Sequence, residues 1–118
     1  MGLPAAASSH HTAWIGPPGR QPHPVRYAVD KDRLVCFGDG DLADVPDGTR
    51  VTASIHEIAG GPMLATFAAS MRVLGPDAVD MNALVELLAH VPLGRTLEEV
   101  QARLDEQRAH RRVVELVP

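Results

Sequence analysis

The sequence predicts a mainly β protein: a small antiparallel barrel of six strands, with two helices between the fifth strand and the last. Three observations predict it. Before Pro76 the chain is a run of short, β-branched segments broken by Gly and Pro, and after it apolar residues fall at helical spacing. The turns Pro17-Pro18-Gly19-Arg20 and Asp30-Lys31-Asp32 join consecutive strands as hairpins and so make a meander. A meander of this size hides its edges by closing, and the apolar stretch Val113-Val114-Glu115-Leu116-Val117 is suited to return as the closing strand.

Each element follows from its own residues. Residues 1–10 are small, polar or Ala-rich, and are expected to fray. His11 to Gly16 reads as the first strand. His23 to Val29 reads as the second, with Pro22 and Pro24 placing its start at an edge. Arg33 to Phe37 is the third and is almost continuously apolar. Gly38-Asp39-Gly40-Asp41 is a polar turn, Leu42 to Val45 one helical turn, and Pro46-Asp47-Gly48 its end. From Arg50 to Ile58 the fourth strand alternates Val51, Ala53 and Ile55 with Thr52, Ser54 and His56. Gly60-Gly61-Pro62 turns the chain into a long fifth strand, Met63 to Leu74. Its many small side chains imply close packing against another layer or another chain.

The helical half is equally explicit. Asp80 caps a helix from Met81 to His90, with Leu84, Leu87, Leu88 and Val91 on one face; Pro92 and Gly94 stop it. Thr96-Leu97-Glu98-Glu99 is a capping box that opens a second helix, with Leu97, Val100 and Leu104 on its apolar face. Glu99 and Arg103 stand at a favourable spacing. Arg108, Arg111 and Arg112 crowd the end of this helix, where its dipole favours cations.

Composition narrows the functional classes. A length of 118 residues supports a single domain, residues 1–118. Apolar residues are 45% and charged residues 22%, a globular balance that argues against disorder. No apolar run approaches the roughly 18 residues of a membrane span. The start lacks a basic region and a long apolar stretch, which argues against a signal peptide. The net charge of -4 gives no bulk attraction for nucleic acid or anionic lipid. Cys36 is the lone cysteine, so an internal disulfide is excluded and a reduced, cytoplasmic setting is expected. In its apolar strand it reads as a small buried hydrophobe. None of the six histidines has a zinc-helix spacing, and no metal site is expected.

The stretch Pro24-Val25-Arg26-Tyr27-Ala28-Val29-Asp30-Lys31-Asp32-Arg33-Leu34-Val35-Cys36-Phe37-Gly38-Asp39 resembles the central hairpin of the flavin-nucleotide-binding split-barrel family that includes pyridoxamine 5′-phosphate oxidase. Arg50 to Ile55, Phe67 to Leu74 and Arg112 to Pro118 resemble its later strands, so the likeness runs over roughly Thr12 to Pro118. The resemblance implies a six-stranded split barrel and a homodimer, with FMN or a related deazaflavin in a groove between subunits. The cofactor-binding positions expected here are Arg26, Tyr27, Phe37, Gly38, Asp39 and Arg50. Arg26 matches a position where the family often carries a phosphate-binding Arg, and its alternative is an ion pair with Asp30 or Glu57. Trp14 and Tyr27 either stack on the flavin ring or anchor a dimer.

One stretch departs from the family. After the third strand the family usually has Ser or Thr and then a Lys or Arg, the donors a phosphate needs. Here Gly38-Asp39-Gly40-Asp41-Leu42-Ala43-Asp44 holds three acids and no base. The family's leading helix is missing or reduced to residues 1–10. Two functions follow as expectations. One is a flavoprotein that moves a hydride to or from a small molecule, where the cofactor does the chemistry and no catalytic side chain need be visible. The other is a dimeric barrel that has lost the flavin and serves as a binding or structural protein.

Overall fold

The computed structural model describes residues 2–38, 40–57, 61–89 and 92–118, with the backbone alone at residues 41 and 76. Six strands form one closed antiparallel barrel: β1 (Thr12–Gly16), β2 (His23–Asp30), β3 (Arg33–Phe37), β4 (Arg50–His56), β5 (Met63–Leu74) and β6 (Val113–Val117). Around the barrel they run β1-β2-β3-β6-β5-β4. The tail closes it as expected: β6 pairs with β3 (Leu34 with Leu116) on one side and with β5 (Met71 with Leu116) on the other. No strand keeps a free edge, and a barrel this small has room only for side chains.

Strand alternation decides what fills it. Ile15, Tyr27, Leu34, Cys36, Ile55, Met71, Val114 and Leu116 point inward and are buried. Ala13, Ala53 and Ala69 are the small inward partners that leave volume for Tyr27 and Met71. A Cβ at Gly38 would meet Val114 Cγ1 at 2.8 Å, so the strand exit packs too closely for any side chain there. The β2–β3 turn bends tightly through Lys31, whose φ of 56° is a left-handed conformation that a lysine adopts only at some cost.

Both open ends of the barrel are closed by non-strand segments. The N-terminal stretch, expected to fray, instead forms a 3₁₀ turn over Ala5–Ser9 beside the β2–β3 turn. Ala7 is buried there and its carbonyl accepts the Tyr27 phenol at 2.8 Å. Small side chains are what allow the segment to sit over the core. After β3 a second 3₁₀ turn, Gly40–Leu42, sends Leu42 and Val45 into the same core. This connection is also stitched to β5: Gly48 N–H donates to the Met71 carbonyl, and Val73 N–H donates to the Asp47 carboxylate at 2.7 Å.

The helices lie on one flank. α1 (Met81–Leu87) starts at Asp80, whose carboxylate accepts the Asn82 N–H at 2.8 Å. It ends before the expected Pro92 and Gly94 stop; His90 and Val91 lie outside the described residues. α2 (Leu97–His110) carries the expected cap, with Thr96 Oγ1 accepting the Glu99 N–H at 3.1 Å and Glu99 reaching back to the Arg95 N–H. Ala83, Leu84, Leu87 and Leu104 bury against the outward side chains Ala28, Val35 and Val113. Leu97 does not join that face: it is 84% exposed, because the first turn of α2 projects beyond the barrel wall. No described helix is long and apolar enough to cross a membrane.

Candidate functional site

The six cofactor positions expected from the sequence do not converge. Tyr27 points into the barrel and is 1% exposed, so its ring is unavailable to a ligand outside. Burial pushes its phenol up to about 12. Gly38 is committed to the fold: its N–H donates to the Arg112 carbonyl at 2.8 Å, and its missing Cβ is space claimed by Val114 and Arg112. Asp39 lies outside the described residues. Arg50 is exposed at the start of β4 and donates to Ser70 Oγ at 2.9 Å. The register that levels Thr12 with Arg26 puts them by the far end of β4, beyond the Ala13–Ile55 pair. At a rise of about 3.3 Å per residue, Arg50 is therefore roughly 20 Å along the sheet from Arg26.

Arg26 and Phe37 do share a surface. Tyr27 pairs with Cys36, which levels Arg26 on β2 with Phe37 on β3, both on the barrel's outside. The Arg111 guanidinium lies over the Phe37 ring, 3.5 Å from its centroid, a cation–π contact. Arg111 thus stacks on Phe37, and Arg26 stands level with Phe37 on the neighbouring strand. Arg26 takes neither of its expected ionic partners as a visible pair: Asp30 is engaged by Arg33 at 2.7 Å, and Arg33 also binds Glu115. Among the described residues the Nε atoms of Arg26 and Arg112 are buried with no hydrogen-bond partner. An orphaned buried N–H on a cation is the kind of group an anion would complete.

Of the acids in the connection after β3, Asp44 is paired within the chain. The Arg20 guanidinium grips the Asp44 carboxylate with two hydrogen bonds, at 2.6 and 3.0 Å, and holds its carboxyl below the usual range. Arg112, read from sequence as a helix-end cation, instead donates to the carbonyls of Ala43 and Val45. Arg108 binds Asp105 and the Met81 sulfur. The sequence signal for Arg111 and Arg112 was present only indirectly, in the Phe37–Val113 register that brings the residues before β6 alongside Gly38.

A second concave region lies on the outside of β1 and β4. Trp14 and His56 meet edge-on, with ring centroids 6.2 Å apart and planes at 67°. A cleft of about 310 Å³ lies against this pair, lined by Ser9, His10, His11, Thr12, Trp14, His56 and Glu57. A more apolar cleft of about 290 Å³, lined by Trp14, Pro22, Ser54, His56 and Gly61, adjoins the same pair. Among the described residues no group of three His, Cys, Asp or Glu is placed to hold a metal ion. Among the described residues no Asp, Glu, His, Lys or Arg is fully buried.

The fold and this surface define the class, a closed six-stranded antiparallel barrel with a helical flank and a cationic patch at the exit of β3. No family model, curated protein or solved structure matches the chain.

Proposed function

We propose that the chain binds a flavin nucleotide, FMN or a deazaflavin, and belongs with the oxidoreductase-like split barrels its sequence resembles. The single observation that carries this reading is Arg26: an outward guanidinium on β2, level with Phe37 and near Arg111, with a buried Nε left without a partner. Arg26 and Arg111 would hold the phosphate. When bound, the flavin would supply hydride transfer to or from a small molecule, while the chain supplies position and charge.

The reading includes a homodimer. The outside of β4 and β5 carries a stripe of small side chains between Arg50 and Leu64, with Thr52, Thr66 and Ala68 exposed and Leu64 46% exposed, uncovered within one chain. Such a face suits a second copy, and its burial would use the surface that a lone chain of this size leaves wet. Sedimentation of a monomer at micromolar concentration would remove the dimer.

The test is titration of FMN with purified protein, read by flavin fluorescence. Saturable quenching that is lost in Arg26→Ala supports the reading; no quenching, or quenching that survives the substitution, overturns it. The flavin-free alternative is favoured by two observations: Tyr27 is sealed in the core, and the Phe37 ring already has Arg111 on its face. A colourless protein that leaves FMN fluorescence unchanged is its signature.

A further inference from the structure

We propose a second ligand site, independent of flavin: the Trp14–His56 cleft takes a small planar aromatic cation, such as an amidine or a protonated amino-heterocycle. Its chemistry follows from the atoms that line it. His10 Nδ1 lies 2.9 Å from the Ala6 carbonyl and His56 Nδ1 lies 3.0 Å from the Gly61 carbonyl. A carbonyl can only accept, so in the neutral rings both Nδ1 atoms carry the proton and both Nε2 atoms keep a lone pair. Two imidazoles from different segments, the turn before β1 and the end of β4, thus line one cleft as hydrogen-bond acceptors.

The remaining walls agree. Among the described residues lining the cleft, Glu57 is the one carboxylate, and none is a Lys or Arg. Ser9 and Thr12 add hydroxyls, which also accept. Trp14 supplies an aromatic wall, and indole is the best aromatic partner for a cation. Open clefts of about 310 and 290 Å³ adjoin the shared Trp14–His56 pair, at the small end of the range of ligand sites. A flat cation with N–H donors on its edge meets every one of these groups favourably, and an aromatic carboxylate would meet Glu57 and two lone pairs. The titratable groups facing the cleft are His10 and His11 from the N-terminal side and His56 and Glu57 from β4; Arg26, on β2, stands level with Thr12 but does not line it.

Trp14 is the only tryptophan, so its emission reports the cleft directly. The probe is benzamidine, with benzoate as its isosteric anion. A fragment of this size is expected to bind with a Kd of about 1 mM. The expected result is a saturable change in Trp14 emission with benzamidine and none with benzoate. Glu57→Gln should weaken benzamidine about tenfold, since it removes a charged hydrogen-bond partner. The indole N–H resonance of Trp14 gives a second readout, and an unchanged melting curve for Glu57→Gln excludes a folding defect. Equal response to benzoate, an unsaturable change, or binding indifferent to Glu57→Gln overturns the proposal. Because FMN is an anion, loss of flavin binding leaves this result untouched, and the reverse also holds.

Discussion

Tyr27 offers the sharpest test of the barrel's closure. It is the only tyrosine in the chain, so its ionisation can be followed without assignment. The phenol is buried under the N-terminal turn and donates to the Ala7 carbonyl at 2.8 Å. Burial raises its pKa from 10.0 to about 12. The perturbation is alkaline pH. Below the unfolded value both states keep the proton, and the stabilisation is complete. As pH climbs towards the folded value, the unfolded chain loses its proton first, so stability falls across that window. At about 1.4 kcal/mol per pKa unit, the loss approaches roughly 3 kcal/mol at the upper end. Stepwise denaturant unfolding, followed by far-ultraviolet circular dichroism at each pH, measures the loss. Other groups also titrate in this range, so the control is Tyr27→Phe, which itself should cost about 1–2 kcal/mol by leaving the Ala7 carbonyl without its donor. The wild-type chain should lose the extra stability and the variant should not. A folded-state phenol that ionises near its ordinary value, or two parallel pH profiles, would refute the sealed end.

Three further outcomes follow from packing and charge. Gly38→Ala forces a methyl to within 2.8 Å of Val114 Cγ1 and 3.2 Å of Arg112 Cγ, and should lower stability by about 1–3 kcal/mol in a denaturant melt. Met71→Ala empties the centre of the barrel opposite Leu116, and should cost about 2–5 kcal/mol, with a lowered Tm in calorimetry. Glu115→Gln breaks one arm of the Asp30–Arg33–Glu115 cluster that ties β2, β3 and β6 on the outside, and should cost about 1–3 kcal/mol, with the difference shrinking as salt is added.

The barrel was legible because its strands obey a period of two and its turns carry strong Gly and Pro signals. β3, β5 and β6 have the bounds the sequence suggested, and β6 pairs with β3 and β5 because Val114 and Leu116 need an interior to enter. The orientation of Tyr27, expected to stack on a flavin or anchor a dimer, was misread, although strand alternation carries it. On β2, Arg26 and Asp30 share one face, so Val25, Tyr27 and Val29 must take the other and turn inward. The N-terminal turn was not readable: Ala5-Ala6-Ala7 carries no periodic signal, and only the finished barrel offers the end it closes. Leu97 misled because its helical spacing is correct, while the barrel wall runs out before reaching it. The separation of Arg50 from Arg26 comes from the stagger of closed strands, which sequence neighbourhood does not encode.

Several arginines of the barrel are committed to partners within the chain. Arg20 binds Asp44, Arg112 secures the carbonyls of Ala43 and Val45, and Arg33 holds Asp30 and Glu115. These contacts are built into the folding of the connection and the strand pairing, so removing any of them exposes a carboxylate or a carbonyl. Arg26 differs in having no other hydrogen bond: among the described residues the Nε atoms of Arg26 and Arg112 are both buried without an acceptor, but Arg112 spends its other nitrogens on the Ala43 and Val45 carbonyls. Burying a donor without an acceptor costs about 1–3 kcal/mol, and nothing in the strand pairing requires an arginine at that position: its neighbours Tyr27 and Ala28 do the packing. An external oxyanion would recover that cost on binding, which is why Arg26→Ala should cost affinity for FMN while sparing, or even raising, the stability of the free chain.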